Sequence, residues 1–80
     1  MDRFLVYGRR SCPYCKRAEE LLQAQGRQYI FFDEENRDEL EKIKLFHNHK
    51  TVPIILTNNL STGIVRLVGG FTELKELIDD

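Results

Sequence analysis

The four residues Cys12-Pro13-Tyr14-Cys15 constrain this chain more than any other feature, because the hydrophobic period changes across them. Before them, Arg3 to Tyr7 (Arg-Phe-Leu-Val-Tyr) is a short apolar, β-favouring run ended by Gly8, which reads as a buried first strand. Gly8-Arg9-Arg10-Ser11 follows as a loop. After them, from Pro13 to Gln25, the apolar residues Ala18, Leu21 and Leu22 stand at helical spacing, with Pro13 suited to the first turn and Gly26 to the C-terminal cap. The cysteines therefore open a helix that leaves the end of a strand. With 80 residues the chain has room for a single domain, residues 1–80, since folding at this size hides only about 60% of the surface an unfolded chain exposes.

Tyr29 to Phe32 (Tyr-Ile-Phe-Phe) predicts the next strand, followed by the acidic stretch Asp33-Glu34-Glu35. Asn36 and Glu39 have capping-box spacing, so a second helix is expected to open near Asn36 and run through Leu40, Ile43 and Phe46 with a charged outer face. Val52 to Leu56 predicts a third strand, with Pro53 tolerable at its start, at an edge or at a bulge. Thr57-Asn58-Asn59 reads as a polar turn, and Ile64 to Val68 as a fourth strand paired with the third in a hairpin. Gly69-Gly70 ends that strand, and Thr72 to Asp79 closes the chain as a helix with Leu74, Leu77 and Ile78 on one face. The order β-α-β-α-β-β-α holds one parallel crossover and then a hairpin. It predicts an α/β fold in which a mixed sheet of four strands is flanked by three helices.

Twelve Lys and Arg against thirteen Asp and Glu leave a formal net charge of −1, so no bulk field draws this chain to nucleic acid or to an anionic membrane. Apolar runs such as Val52 to Leu56 fall far short of the roughly 20 residues that span a bilayer. The stretch Phe4 to Tyr7 is likewise too short for a signal-peptide core. The cytosol is the expected compartment. There, two cysteines three positions apart close too short a loop to brace a fold, and they point instead to chemistry or metal.

In a reducing compartment, a C-x-x-C between a strand and a helix reads as a redox motif. A thiolate at Cys12 meets the positive end of the helix macrodipole and unpaired backbone N–H groups, which favour the charged form. Arg9, Arg10, Lys16 and Arg17 add four nearby cations with no acid between Arg9 and Arg17, so Arg10 and Lys16 are also expected to tune the Cys12 pKa downward. A lower pKa makes Cys12 a better leaving group when a mixed disulfide is broken. Cys15, one helical turn on, is expected within reach of the Cys12 sulfur, more buried, and suited to resolve an intermediate. Inert packing of the two thiols weighs less, because it does not require a helix start among cations. Zinc held with His47 and His49 also weighs less: the His-x-His spacing and the 31 residues between Cys15 and His47 miss the usual finger pattern. His47 and His49 read as surface residues near a helix end, and no metal site is expected.

Cys12-Pro13-Tyr14-Cys15, then Thr51-Val52-Pro53, then Gly69-Gly70 before the last helix stand in the order in which the sequence resembles a dithiol glutaredoxin, the glutathione-dependent branch of the thioredoxin fold. The resemblance covers nearly the whole chain. It implies a thioredoxin-like fold with a cis Val52-Pro53 bond, which turns the Val52 backbone toward Cys12 and leaves its N–H and C=O free to pair with an extended substrate. It also implies that Arg9 and Lys50 hold the glycine carboxylate of glutathione, and that the γ-glutamyl end meets Gly69, Gly70, Phe71 and Thr72, where backbone N–H groups suit a carboxylate. Tyr14, Thr51, Val52 and Pro53 complete the implied glutathione site. Two departures stand out. Thr72 replaces the Asp of many members, so a negative charge for the glutathione amino group is missing unless Glu73 supplies it. The stretch from Pro53 to Gly69 is also longer, by about six residues, than the short hairpins of compact members lead one to expect.

The activity implied by the resemblance is thiol-disulfide exchange through Cys12 and Cys15, with glutathione as co-substrate and no tightly bound cofactor. The implied partners are disulfide-containing or glutathionylated proteins, ribonucleotide reductase among them, and a monomer is expected. Alternatives remain at this stage. One is a thioredoxin-like electron donor recharged by thioredoxin reductase, against which Gly69-Gly70, Arg9 and Lys50 argue. Another is a protein that holds an iron-sulfur cluster between two subunits with glutathione, which the stiffness of Pro13 opposes. The last is a non-catalytic interaction module, whose signature is an ordinary Cys12 pKa.

Overall fold

The computed structural model describes residues 2–78, along which the chain runs β1 (Asp2–Gly8), α1 (Pro13–Ala24), β2 (Tyr29–Asp33), α2 (Arg37–Phe46), β3 (Ile54–Asn59), β4 (Val65–Gly69) and α3 (Phe71–Ile78). The element order is the predicted one; the expected extension of the last helix to Asp79 lies outside the described residues. The strands form one sheet in the order β2-β1-β3-β4, with β1 parallel to β2 and antiparallel to β3, and β3 antiparallel to β4. The strands richest in buried side chains take the centre. Phe4 and Val6 of β1 and Ile54, Ile55 and Leu56 of β3 are all buried, as interior strands covered on two faces require.

Side chains alternate between the two faces of a strand, and here the faces are covered unequally. Phe4, Val6 and Ile55 point to the side where Ala18 and Leu22 of α1 and Leu74 of α3 close a buried cluster, rimmed by Tyr29, Phe31, Val68 and Ile78. The opposite face carries Tyr7, stacked on Phe32 with ring centroids 4.6 Å apart, and α2 crosses it with Leu40 buried and Ile43 half-buried. Phe46 ends α2 at 83% exposure and Leu45 is 80% exposed, so the apolar spacing of this helix is only partly used. In α3, Leu74 is buried and Ile78 packs against the core, but Leu77 is exposed and leaves the face expected for it.

Local chemistry sets the ends of the helices. Gly26 adopts φ 65° after α1, and the N–H groups of Gly26 and Arg27 donate to the Gln23 and Leu22 carbonyls, a Schellman end that glycine permits without strain. Asn36 caps α2: its Oδ1 accepts from the N–H groups of Asp38 and Glu39. The reciprocal half of a capping box comes from Glu34, whose Oε1 accepts the Asn36 N–H at 2.9 Å, and not from Glu39, which pairs with Lys42.

Two strand boundaries differ from expectation. β3 begins after Pro53 and continues through Thr57, Asn58 and Asn59, because these residues pair with Phe4, Arg3 and Asp2 of β1. A local polar triplet is read as a turn only until a partner strand satisfies its backbone. The turn comes later, where the Asn59 Oδ1 accepts from Ser61 and Thr62 N–H and Gly63 takes φ 77°. Across the hairpin, Ile55 pairs with Gly69 and Leu56 with Leu67, so a β-bulge at Val68 turns the strand end toward α3.

Candidate active site

Cys12 is the N-cap of α1 and Pro13 its first residue, so β1 delivers the thiol to the start of the helix through the loop Arg9–Ser11. Burial opposes ionisation of Cys12 most strongly, but its effect is outweighed. The backbone N–H and thiol of Cys15, the backbone N–H of Tyr14 and the Arg9 guanidinium together hold the pKa below the ordinary thiol value. Cys15 is fully buried, and burial pushes its thiol up to about 12, assisted by its hydrogen bond to Cys12 and by the Cys12 charge. Both cysteines are free thiols. One is thus prepared as a nucleophile and its neighbour is kept protonated beside it.

Gly8, the last residue of β1, makes that placement possible. A Cβ at this position would overlap the Cys15 sulfur and lie 3.8 Å from the Pro53 Cα, so only glycine lets the buried thiol and the proline loop close on the strand end. The Val52-Pro53 bond is cis, as the resemblance implied. Val52 and Pro53 then form one wall of a cleft of about 440 Å³, with Tyr14 from α1, His49 and Thr51 from the loop after α2, and Gly70, Phe71, Thr72 and Glu73 at the start of α3. The Tyr14 and Phe71 rings approach across it at 6.0 Å, and Arg17 stacks over Tyr14.

The structure gathers most of the residues expected in the site, with instructive exceptions. Tyr14, Thr51, Val52, Pro53, Gly70, Phe71 and Thr72 line the one cleft, and Gly69 stands directly behind them at φ 125° with its Cα hydrogens against Glu73. Arg9 and Lys50 are not part of that lining: Arg9 sits beside Cys12 with a buried, unpartnered Nε, and Lys50 opens on an adjoining groove with Lys44 and Leu45. Arg10 turns away. Its guanidinium pairs with Glu19 at 3.0 Å and Asp33 at 3.7 Å and covers Phe31, while Lys16 lines a separate hollow beside it. Of the four cations close in sequence, Arg9 is the one whose charge lowers the Cys12 pKa.

Two functional residues were missed or underused by sequence reasoning. His49, expected at the surface, is half-buried in the cleft wall, and its Nδ1 lies 2.8 Å from the Thr51 carbonyl oxygen. Its place next to Lys50-Thr51-Val52-Pro53 was the only available signal. Glu73 caps its own helix: Oε1 accepts the Gly70 N–H at 2.7 Å, which puts a carboxylate at the end of the cleft where Thr72 brings none. His47 is also half-buried, with its ring 6.0 Å from that of Tyr7. Among the described residues, no cluster of His, Cys, Asp and Glu is arranged to hold a metal ion.

A central strand that hands a dithiol to a helix N-terminus, with a cis proline opening the next antiparallel strand behind it, defines the thioredoxin-like class of folds. Within that class, the glutaredoxin family model matches residues 4–60, and the chain belongs to the glutaredoxin family. Solved glutaredoxins share the fold at low sequence identity. The buckwheat glutaredoxin–glutathione complex superposes with a TM-score of 0.70 at 20% identity, over 94% of this chain and 66% of that one. Glutaredoxin from Brucella melitensis gives 0.65 at 24% identity, over 96% and 78% of the two chains. Glutaredoxin 1 from Francisella tularensis, complexed with cacodylate, gives 0.65 at 22% identity over 99% and 94%. No curated protein sequence matches the chain significantly.

Proposed function

We propose that this protein is a glutathione-dependent thiol-disulfide oxidoreductase that reduces protein–glutathione mixed disulfides and protein disulfides through Cys12 and Cys15. The observation that carries the reading is the opposed ionisation of two thiols at the start of α1, on either side of Tyr14, which lines a cleft walled by the cis proline. The Cys12 thiolate attacks the glutathione sulfur of a mixed disulfide; the new Cys12–glutathione disulfide forms as the old bond breaks, and the substrate leaves as a thiolate that takes a proton. A second glutathione thiolate then attacks this intermediate, giving glutathione disulfide and restoring Cys12. The net result is that one mixed disulfide and one free glutathione become one protein thiol and one glutathione disulfide.

For a protein disulfide, Cys15 resolves the intermediate, and the structure offers a reason why it acts only then. Burial is the largest cause of its raised pKa, but the hydrogen bond to Cys12 and the Cys12 charge also raise it. Once the Cys12 sulfur is tied in a disulfide, its negative charge is gone and that part of the penalty is lifted. Cys15 is then easier to deprotonate, and its sulfur attacks that of Cys12. The Cys12–Cys15 disulfide forms as the mixed disulfide breaks, and the substrate leaves as the thiolate that takes up the proton.

The cleft supports glutathione as the reductant. Its volume suits a tripeptide, the N–H groups of Phe71 and Thr72 lie in the first turn of α3 where a γ-glutamyl carboxylate is favoured, and the buckwheat relative was crystallised with glutathione. Lys50, next to Thr51 in the chain, and Arg9, beside Cys12, are the cations that the resemblance assigns to the glycine carboxylate. The cytosol, whose thiol pools keep such a pair reduced, is the compartment this reading implies. One observation favours recharging by thioredoxin reductase as a second reading: the Gly70 N–H is already taken by Glu73, which narrows the anion site at α3.

Turnover of a small glutathione mixed disulfide, coupled through glutathione reductase to NADPH, tests the first reading. Wild-type protein should turn over and Cys12→Ser should not. Absence of wild-type turnover with glutathione, together with reduction by thioredoxin reductase, would establish the second reading instead.

A further inference from the structure

His49 joins three parts of the site, and nothing in the exchange chemistry above uses it. Its backbone is fixed to the end of α2. Asn48 takes φ 51° after the cap His47, its N–H donates to the Leu45 carbonyl at 3.2 Å, and the His49 N–H donates to the Lys44 carbonyl at 2.9 Å, which is a complete Schellman end. Its ring lines the cleft, and its Cε1 would be 3.7 Å from a Cβ built on Gly70, so it faces the turn before α3. Its Nδ1 lies 2.8 Å from the Thr51 oxygen. A carbonyl oxygen can only accept, so Nδ1 carries the proton and donates.

That contact reaches further than Thr51. The Thr51 C=O and the Val52 N–H belong to a single planar peptide unit and point in opposite directions. Holding the oxygen therefore holds the direction of the N–H. Val52 precedes the cis proline in the cleft wall, and, on the reading under Proposed function, it offers the substrate the N–H that the glutaredoxin resemblance implies is free for pairing. We infer that His49 is a positioning residue for substrate: by donating from Nδ1 to Thr51 it locks the Thr51–Val52 peptide plane, referenced to the end of α2, in the orientation that presents the Val52 N–H to the disulfide-bearing chain. It touches no reacting atom, so it sets binding rather than the exchange step.

Three variants separate the hydrogen bond from the shape. His49→Phe keeps a ring and removes the donor. His49→Asn places an amide N–H close to the position of Nδ1. His49→Gln moves the amide one bond further out, where Nε2 stood. With a glutathione mixed disulfide as substrate, His49→Phe and His49→Gln should raise KM about tenfold, which is about 1.4 kcal/mol, with kcat and the pH profile of Cys12 alkylation unchanged. His49→Asn should restore most of the wild-type KM. In the free protein, the ¹⁵N order parameter of the Val52 amide should fall from rigid values near ~0.85 toward ~0.6 in His49→Phe and return in His49→Asn.

The second readout needs no substrate. If the wild type shows no turnover with glutathione, the functional reading fails while the amide measurement still decides the role of His49. A Val52 amide equally rigid in His49→Phe and wild type overturns the inference, and so does a His49→Asn protein no better than His49→Phe.

Discussion

Cys12 and Cys15 are three positions apart and ionise in opposite directions, Cys12 below the ordinary thiol value and Cys15 up to about 12. The thiolate is the species that reacts with an alkylating agent. As pH rises, the Cys12 thiolate appears first, so iodoacetamide modification of Cys12 should rise with a midpoint below that of a free cysteine. Cys15, protonated and fully buried, should be modified only at clearly higher pH than Cys12, because burial still opposes its ionisation after alkylation has removed the Cys12 charge. Mass spectrometry of modified peptides across a pH series reads both curves. Simultaneous modification of the two cysteines near neutral pH would contradict the arrangement. The direction of the Cys12 shift was legible from its place at a helix start; the balance of causes was not. Arg10 is one residue from Arg9 in sequence, yet Glu19 and Asp33 claim its guanidinium, and these acids come from α1 and β2, which only the fold brings together.

At the scale of elements, the residues that terminate helices carried the most reliable information. Asn36 and Gly26 act where the sequence placed them, because a cap satisfies backbone groups within a few residues of itself. Replacing Asn36 by Ala removes the acceptor for the Asp38 and Glu39 N–H groups and should cost about 1 kcal/mol of stability. The change should appear as a lower urea midpoint with an unchanged slope; a midpoint equal to wild type would show that Glu34 and solvent suffice at this helix start. The β3 boundary was misread for the complementary reason. Thr57-Asn58-Asn59 has the composition of a turn, but its conformation is set by β1, more than fifty residues earlier, through the pairs with Phe4, Arg3 and Asp2.

For the whole molecule, the decisive fact is the unequal covering of the sheet. Leu22 and Phe46 both look like core residues of amphipathic helices, yet Leu22 is fully buried between α1 and the sheet while Phe46 is 83% exposed. Leu22→Ala should therefore destabilise by about 2–5 kcal/mol, whereas Phe46→Ala should change stability by no more than about 0.5 kcal/mol. Chemical denaturation of the two variants compares them directly, and equal losses would show that α2 packs more tightly than described. The radius of gyration, 11.9 Å, is close to the value of about 12 Å that scaling gives for a chain of this length. The thin cover on the α2 face thus coexists with ordinary compactness.

The sequence by itself determined the order of the elements, the dithiol at the start of the first helix, and the proline and glycine pairs that mark the other sides of the site, because periodicity, caps and φ restrictions act over a few residues. Only the tertiary structure decided which cation serves Cys12, that Glu73 occupies the Gly70 N–H, that β3 extends through a polar triplet, and that His49 grips the Thr51 carbonyl in the cleft. Each of these depends on a partner supplied by another element or on burial. Distances along the chain carry no information about either until the sheet is closed and the helices lie against it.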